Sequence, residues 1–491
     1  MLFRLLPSLL RRASLALTIS LLAAASVAAQ TGELTLEECI ARALDKNFGL
    51  KIQGFDSANA VESLTISRAE YDPAFTLSAS KSVNQADTPA TNLVGTRSEI
   101  SSTRVGVSQK IATGATLDLT SSLDRNFTNN TFATLNPAYN ADLSLTISQP
   151  LLKGAGSTVN RAAIKRAEIG VDIASLNYKG RVLQLVRDTE AAYYNLVYGR
   201  EQLKVRKLSL DLAERLYDEN QTKKNTGVAT ELDVLQAEVG VENARRNVLL
   251  AQQTVADAED ALLNLIGQFE FGTTLGEVTL PATATFKPDF DLSYRLARDG
   301  QPDYLAATES LKQLQIDADA AKRNRLPTLN LDGAMGYNTR DSTSDRALDR
   351  LPDGDGYAWQ VGLTLRMPWG NRSDKARYNS ALNTLRREET RVKQIEQNLM
   401  VQVRNAVRAV ETNLESVSIS RKATELSEKQ YELEKARYDA GLSTSRRVLE
   451  AQDDLETARV AELQARVNLR TAIAELNRLD GSSLGIYQIA L

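Results

Sequence analysis

The ionisable side chains of this sequence suit holding surfaces together better than making or breaking bonds. There is no histidine, and Cys39 is the single cysteine. Histidine-based acid–base catalysis, the usual zinc sites and internal disulfides are thereby excluded. No glycine-rich loop leads into a phosphate-binding lysine, and no nucleophile constellation can be read. An enzyme is the poorest fit, and no cofactor is implied. Net charge is -3 with 25% charged residues, and no basic stripe suggests nucleic acid. Most Asp and Glu recur at helical spacings among Lys and Arg, as on solvated faces. Two groups of residues sit around glycine turns. Asp233 follows Gly227-Val228-Ala229, while Tyr438, Arg446, Arg447 and Glu450 surround Gly441-Leu442-Ser443. Taken alone, they read equally well as solvated helix faces beside turns where glycine lets the chain reverse.

Those turns open two copies of one stretch, residues 225–267 and 439–481, at a constant offset of 214. In the first copy Val234, Val241, Val248, Val255 and Leu262 recur every seven residues. Ala237, Ala244, Ala251, Ala258 and Leu265 follow three positions behind. The second copy repeats the pattern with Val448, Leu455, Leu469 and Leu476 against Ala451, Ala458, Ala465, Ala472 and Leu479, broken only by Glu462. A strict seven-residue period predicts helices packed along a coiled-coil seam, with the alanine row allowing close approach.

A second repeat, at offset 254, places Pro73 on Pro327, and Phe75 and Leu77 on Leu329 and Leu331. Proline is absent from 30–72, 151–280 and 369–491, which marks helical territory. Each half therefore reads as helix, strands, very long helix, glycine turn, shorter helix. Predicted helices run over 35–70, 157–226, 230–266, 373–440 and 444–479. The long ones reach roughly 105 Å and the shorter ones about 55 Å, so two short helices stacked end to end match one long helix. Each protomer would supply a wall about 100 Å tall. Gly170, Gly180 and Gly199 in the first long helix fit either close packing or a kink.

Residues 1–29 read as a secretory signal: Arg4, Arg11 and Arg12 precede an apolar run over 15–27 and small residues Val27-Ala28-Ala29. Beyond it no stretch is long and apolar enough for a spanning helix. Any membrane crossing would have to use a closed β-barrel. The repeats then occupy 30–268 and 291–491, joined by a linker or equatorial segment over 269–290.

The strands alternate. Over 357–369, Trp359, Val361, Leu363, Leu365, Met367 and Trp369 share one face, and Ala358, Gln360, Gly362, Thr364 and Arg366 the other. Both tryptophans bracket this strand, as in the aromatic girdle of a membrane barrel. Residues 143–148 and 75–80 alternate likewise. The strands of one chain cannot close a useful pore, so subunits must share the barrel. The 77 residues from Pro73 to Pro150 exceed the 41 from Pro327 to Pro368 by 36. The excess holds two alternating runs, 104–111 and 116–123, that suggest an extra hairpin, with its place in the barrel open.

This organisation resembles the TolC family of outer-membrane efflux proteins, most specifically over 436–481. The resemblance implies a mainly α protein with a membrane β-barrel: a long α-helical coiled-coil barrel plus a shared trimeric β-barrel, tandem duplicated. It implies a homotrimer with four strands per protomer, twelve tunnel helices, outer-membrane lipid around the barrel, and two partners, a periplasmic adaptor protein and an inner-membrane transporter. It places Asp233 and Tyr438 in a gate that holds the periplasmic entrance shut. The family's arginine partner falls on Ser443, and of its two entrance acids one is Glu450 and the other falls on Arg447, so Arg446 or Arg447 is the alternative partner for Asp233. The adaptor-contact tips would be Gly227, Val228, Ala229, Gly441, Leu442 and Ser443. The competing reading is a periplasmic coiled-coil adaptor or scaffold, which needs neither the amphipathic strands nor the one-long, two-short helix pattern.

Overall fold

A computed structural model describes residues 34–87, 95–267, 275–279 and 287–490. The expected signal over 1–29 and most of the linker over 269–290 lie outside the described residues. The elements in order are α1 (Leu36–Lys46), α2 (Phe48–Ala69), β1 (Ala74–Gln85), β2 (Arg97–Lys110), β3 (Thr116–Thr128), β4 (Ala138–Pro150), α3 (Ser157–Asn160), α4 (Ala162–Asn225), α5 (Glu231–Ile266), α6 (Phe290–Gly300), α7 (Pro302–Asn324), β5 (Thr328–Asp341), α8 (Ser344–Asp349), β6 (Tyr357–Arg366), α9 (Arg372–Asp439), α10 (Ser445–Asp480) and α11 (Ser483–Ile486).

The chain forms two units. The first comprises residues up to Phe48, Val182–Ser293 and Val403–Ala490. Here the Val/Ala seam of α5 lies buried from Val234 through Ala251, and Val241 and Ala244 pack on Ala213 of α4. In α10, Val448, Ala451, Leu455, Ala465, Leu469, Leu476 and Leu479 are buried as the heptads require. Glu462, the break in that pattern, stays largely covered because Arg466, one turn on, pairs with it. Gly199 is a packing position: a Cβ there would lie 3.5 Å from Val255 Cα on α5, and α4 runs through it as continuous helix.

The helix expected over 35–70 is two helices. Thr35 caps α1 by accepting the Glu38 N–H at 3.2 Å. Asn47 ends it, and its side-chain amide donates to the Leu265 carbonyl near the end of α5 at 3.1 Å. The second half breaks at the matching place, where Gln301 precedes Pro302, a residue at home in a first helical turn because it has no N–H to lose.

The second unit, Gly49–Arg181 and Tyr294–Gln402, contains one six-stranded antiparallel sheet in the order β1-β2-β3-β4-β5-β6. The count corrects the four strands implied by resemblance. The excess over 104–111 and 116–123 is the β2–β3 hairpin, longer than its apolar alternation and inserted between β1 and β4. Its turn closes through Ile111 N–H to the Ala115 carbonyl at 2.7 Å. The turn is tied down by Gly156 N–H donating to the Thr113 carbonyl at 2.9 Å. A further correction concerns the tryptophans. Trp359 lies in β6, but the strand ends at Arg366 and Trp369 stands in the turn beyond it. Pro368 has no N–H to extend the ladder.

Candidate functional site

Two regions carry the features a function could use, and each belongs to one unit. In the first unit, the α4–α5 and α9–α10 turns are near copies. Gly227 and Gly441 adopt φ of +77° and +75°, and the exposed apolar residues there are Val228 (77%) and Leu442 (72%). Val228 and Ala229 N–H donate to the Lys223 carbonyl, and Leu442 N–H to that of Arg437. Side chains beside the turns are paired locally. Thr230 N–H and Oγ1 donate to Asp233 Oδ2 at 2.9 and 2.6 Å. The Asp233 N–H donates back to Thr230 Oγ1 at 3.2 Å. This is a capping box, signalled in the sequence by Thr-x-x-Asp and not anticipated above. The Thr230 hydroxyl and N–H hold the Asp233 carboxyl below the usual carboxylate range.

Tyr438 is buried with Leu216 and Val448. Its hydroxyl donates to Asn220 Oδ1 at 2.9 Å, not to Asp233, and Lys223 Nζ lies 3.6 Å from its ring centroid. Arg446 donates to Glu450 at 2.9 Å, one turn along the same exposed helix face. Arg447, at the third position of α10, is exposed. Ser443 donates to Glu434 of α9. Within one chain, then, the expected gate residues share one helical end but bond to neighbours other than those anticipated.

The same unit shows a stripe that periodicity could have revealed. Ile419, Leu426 and Leu433 of α9 recur every seven residues and are 68%, 56% and 68% exposed. Leu232, Leu235, Val239 and Leu249 of α5 are exposed as well. An apolar heptad row facing water on a long helix is half of a coiled-coil interface.

In the second unit the ladder registers sort every strand onto two faces. Paired residues point the same way. Leu145 pairs with Leu119, and Leu119 with Val107, which pairs with Phe75. In the other direction Leu145 pairs with Met335, which pairs with Trp359. The next row on this face runs Leu77, Val105, Ser121, Leu143, Tyr337, Tyr357. The opposite face carries Ser78, Arg104, Ser122, Asp142 and Asn338 in one row. Phe75, Leu77, Met335, Trp359, Leu363 and Leu365 are all exposed. Tyr337, Tyr357 and Trp359 gather at the end of the apolar face nearest the β5–β6 connection that holds α8. Among the described residues no helix is long and apolar enough to cross a membrane.

A family model described as outer membrane efflux protein matches residues 39–268 and 293–482. The outer membrane protein OprJ of Pseudomonas aeruginosa is 25% identical over 464 residues, 91% of this chain and 84% of that protein. The pyoverdine export outer membrane protein OpmQ of the same species is 26% identical over 314 residues; the match spans 59% of this chain and 61% of OpmQ. The Campylobacter jejuni CmeC outer membrane channel shares the fold, with a TM-score of 0.69 at 20% identity over 91% of this chain and 85% of that one. The chain belongs to the outer membrane efflux protein family.

Proposed function

We propose that this protein is the outer-membrane exit duct of a tripartite efflux or type I secretion system. It passively passes substrates from an inner-membrane transporter across the periplasm and outer membrane. The observation that carries the reading is the sheet: one face carries exposed apolar residues on all six strands, and the other is polar. That division suits lipid on one side and water on the other. Open sheet edges cannot stand in hydrocarbon, so the working form is a homotrimer whose copies share one barrel. The exposed row Ile419, Leu426, Leu433 supplies a seam for neighbouring copies. The mature chain acts after removal of the signal over 1–29.

The periplasmic entrance lies at the α4–α5 and α9–α10 tips. Asp233, Tyr438, Arg446, Arg447 and Glu450 form its gate, and the small apolar turns at Gly227 and Gly441 receive the adaptor. A soluble coiled-coil adaptor or scaffold has no use for the amphipathic sheet. The test is fractionation followed by mass measurement. The protein should sediment with outer membranes, require detergent, and run in light scattering with the mass of three chains. A soluble protein, or a monodisperse monomer in detergent, would refute the reading.

A further inference from the structure

We propose that three copies close a single eighteen-stranded barrel, with the β2–β3 hairpin in the lipid-facing wall. The count rests on the trimeric reading above and on the six strands of one sheet.

Three observations place the hairpin in the wall. The first is its position: β2 and β3 are interior strands, each paired along its length on both sides. Removing them would leave β1 without its partner. The second is its chemistry. On the face shared with Leu145 and Trp359, the hairpin presents Val105 and Val107, then Leu117, Leu119 and Leu123. On the opposite face it presents Ser102, Arg104, Asp118, Thr120 and Asp124. A hairpin folded into a lumen or lying over an outer rim would not need a lipid-type face in register with its neighbours.

The third observation is the stagger. Val361 pairs with Gly333, which pairs with Ile147, at the middle of the apolar run of β6. Leu77, at the middle of that of β1, pairs with Val105, whose row passes through Ser121 to Leu143. The apolar band thus climbs from Ile147 to Leu143 along β4 while crossing from β6 to β1. At about 3.3 Å per residue and about 4.8 Å between strands, that drift tilts the strands by roughly 30°, near the tilt a closed barrel requires. The climb is continuous through the hairpin.

The free edges fit closure. Six strands in an up-and-down sheet leave β1 and β6 running in opposite directions, so β6 of one copy meets β1 of the next as an antiparallel pair. Both edges carry the apolar residues on the same face. Because barrel diameter grows with strand number, eighteen strands give a bore about half again as wide as twelve.

Conductance is a poor test, since the narrowest part of the duct sets it. Lipid contact is a direct one. In the full chain carrying Cys39→Ala, single cysteines replace Val107 and Leu119 on the apolar face of the hairpin, or Ser102 and Thr120 on its polar face. Leu145→Cys and Leu363→Cys are the barrel controls. Each labelled protein is confirmed as a trimer by mass and reconstituted into vesicles containing brominated lipid. Fluorophores at 107 and 119 should lose as much intensity as those at 145 and 363, while labels at 102 and 120 should lose none. Quenching at 145 and 363 but not at 107 and 119 would overturn the eighteen-stranded wall and leave the exit-duct reading standing. No quenching at any position, or failure to form trimers, would overturn both.

Discussion

The two copies of the tip hairpin have the same backbone and are held by different means. At offset 214, Thr230 corresponds to Thr444 and Asp233 to Arg447. In the first copy Thr230 and Asp233 satisfy each other in a capping box. In the second, Thr444 takes the extended N-cap conformation with no side-chain cap bond, and Arg447 sets a positive charge on the positive end of the helix dipole. That tip is tied instead to the preceding helix. Ser443 bonds to Glu434, and Arg437 lies 3.5 Å from the same carboxylate. A duplicated turn thus keeps its glycine and its seam, because geometry demands both, while the polar groups that hold it diverge.

The largest expected difference between the copies lies further up the long helices. Glu190 of α4 and Arg404 of α9 occupy equivalent repeat positions. Arg404 stands over the Phe290 ring at 5.3 Å. Glu190 is buried, accepts a hydrogen bond from the Tyr487 hydroxyl, and its Oε2 has no hydrogen-bond partner among the described residues. Burial pushes its carboxyl up to about 7, partly offset by the Tyr487 bond. The folded value lies above the unfolded one. The stabilising contribution of the neutral acid is therefore fully present below about pH 4.5 and is lost as pH rises through about 7. Glu190→Gln should remove this loss and stabilise the protein above pH 7 by about 3 kcal/mol at most. Thermal melts of both forms between pH 4.5 and 8 check it. Parallel pH profiles would mean that Glu190 is not the source.

The seam provides the next contrast. Ala244 and Ala458 are equivalent, but Ala244 is buried against α4. Ala458 is half-buried, and its carbonyl accepts from Thr424 at 3.2 Å. Ala244→Leu should cost about 1–3 kcal/mol through overpacking, and Ala458→Leu less. Melting temperatures of the two variants decide it, and equal losses would erase the distinction.

How much of this was legible depends on whether a signal was periodic. The seam, the tips and the tandem halves follow from heptads and offset alone. The full length of β2 and β3 did not, because Ser98, Ser101, Ser102 and Thr103 carry no apolar alternation and are placed by the strands beside them. The break at Asn47 was equally hidden. It contains neither proline nor glycine, and Asn47 there is held by a bond to the end of α5, a residue distant in sequence. Trp369 was misplaced because alternation continues past Pro368, where the hydrogen-bond ladder cannot. The polar bonding at the tips was only half readable: Thr-x-x-Asp announced a cap, while the Tyr438–Asn220 bond joins residues distant in sequence.

The smaller effects separate the caps. Glu434→Ala removes the acceptor holding the second tip and should loosen α10 at its start by about 0.5–1.5 kcal/mol, leaving the first tip unchanged. Hydrogen exchange at residues 444–448 against 230–234 reads the difference. Protection lost equally at both tips would show that they are not held independently.

Asp233 is the position where cap and gate must be told apart. Asp233→Ala removes the bonds to Thr230 and should cost about 1 kcal/mol of local stability, whatever else the residue does. Asp233→Asn keeps an oxygen that can accept the Thr230 N–H and removes only the charge. If the carboxylate helps hold the entrance shut, its charge must act on groups of the neighbouring copy. Exposed pairs are worth about 0–1 kcal/mol each, and three copies repeat the contact. Single-channel conductance of intact trimers in planar bilayers should then rise for Asp233→Asn nearly as much as for Asp233→Ala combined with Tyr438→Phe, while hydrogen exchange at the first tip stays close to that of the parent. A cap-only role gives the reverse pattern. Asp233→Asn would conduct like the parent, and any increase would appear only in the alanine variant, alongside lost protection at residues 230–234.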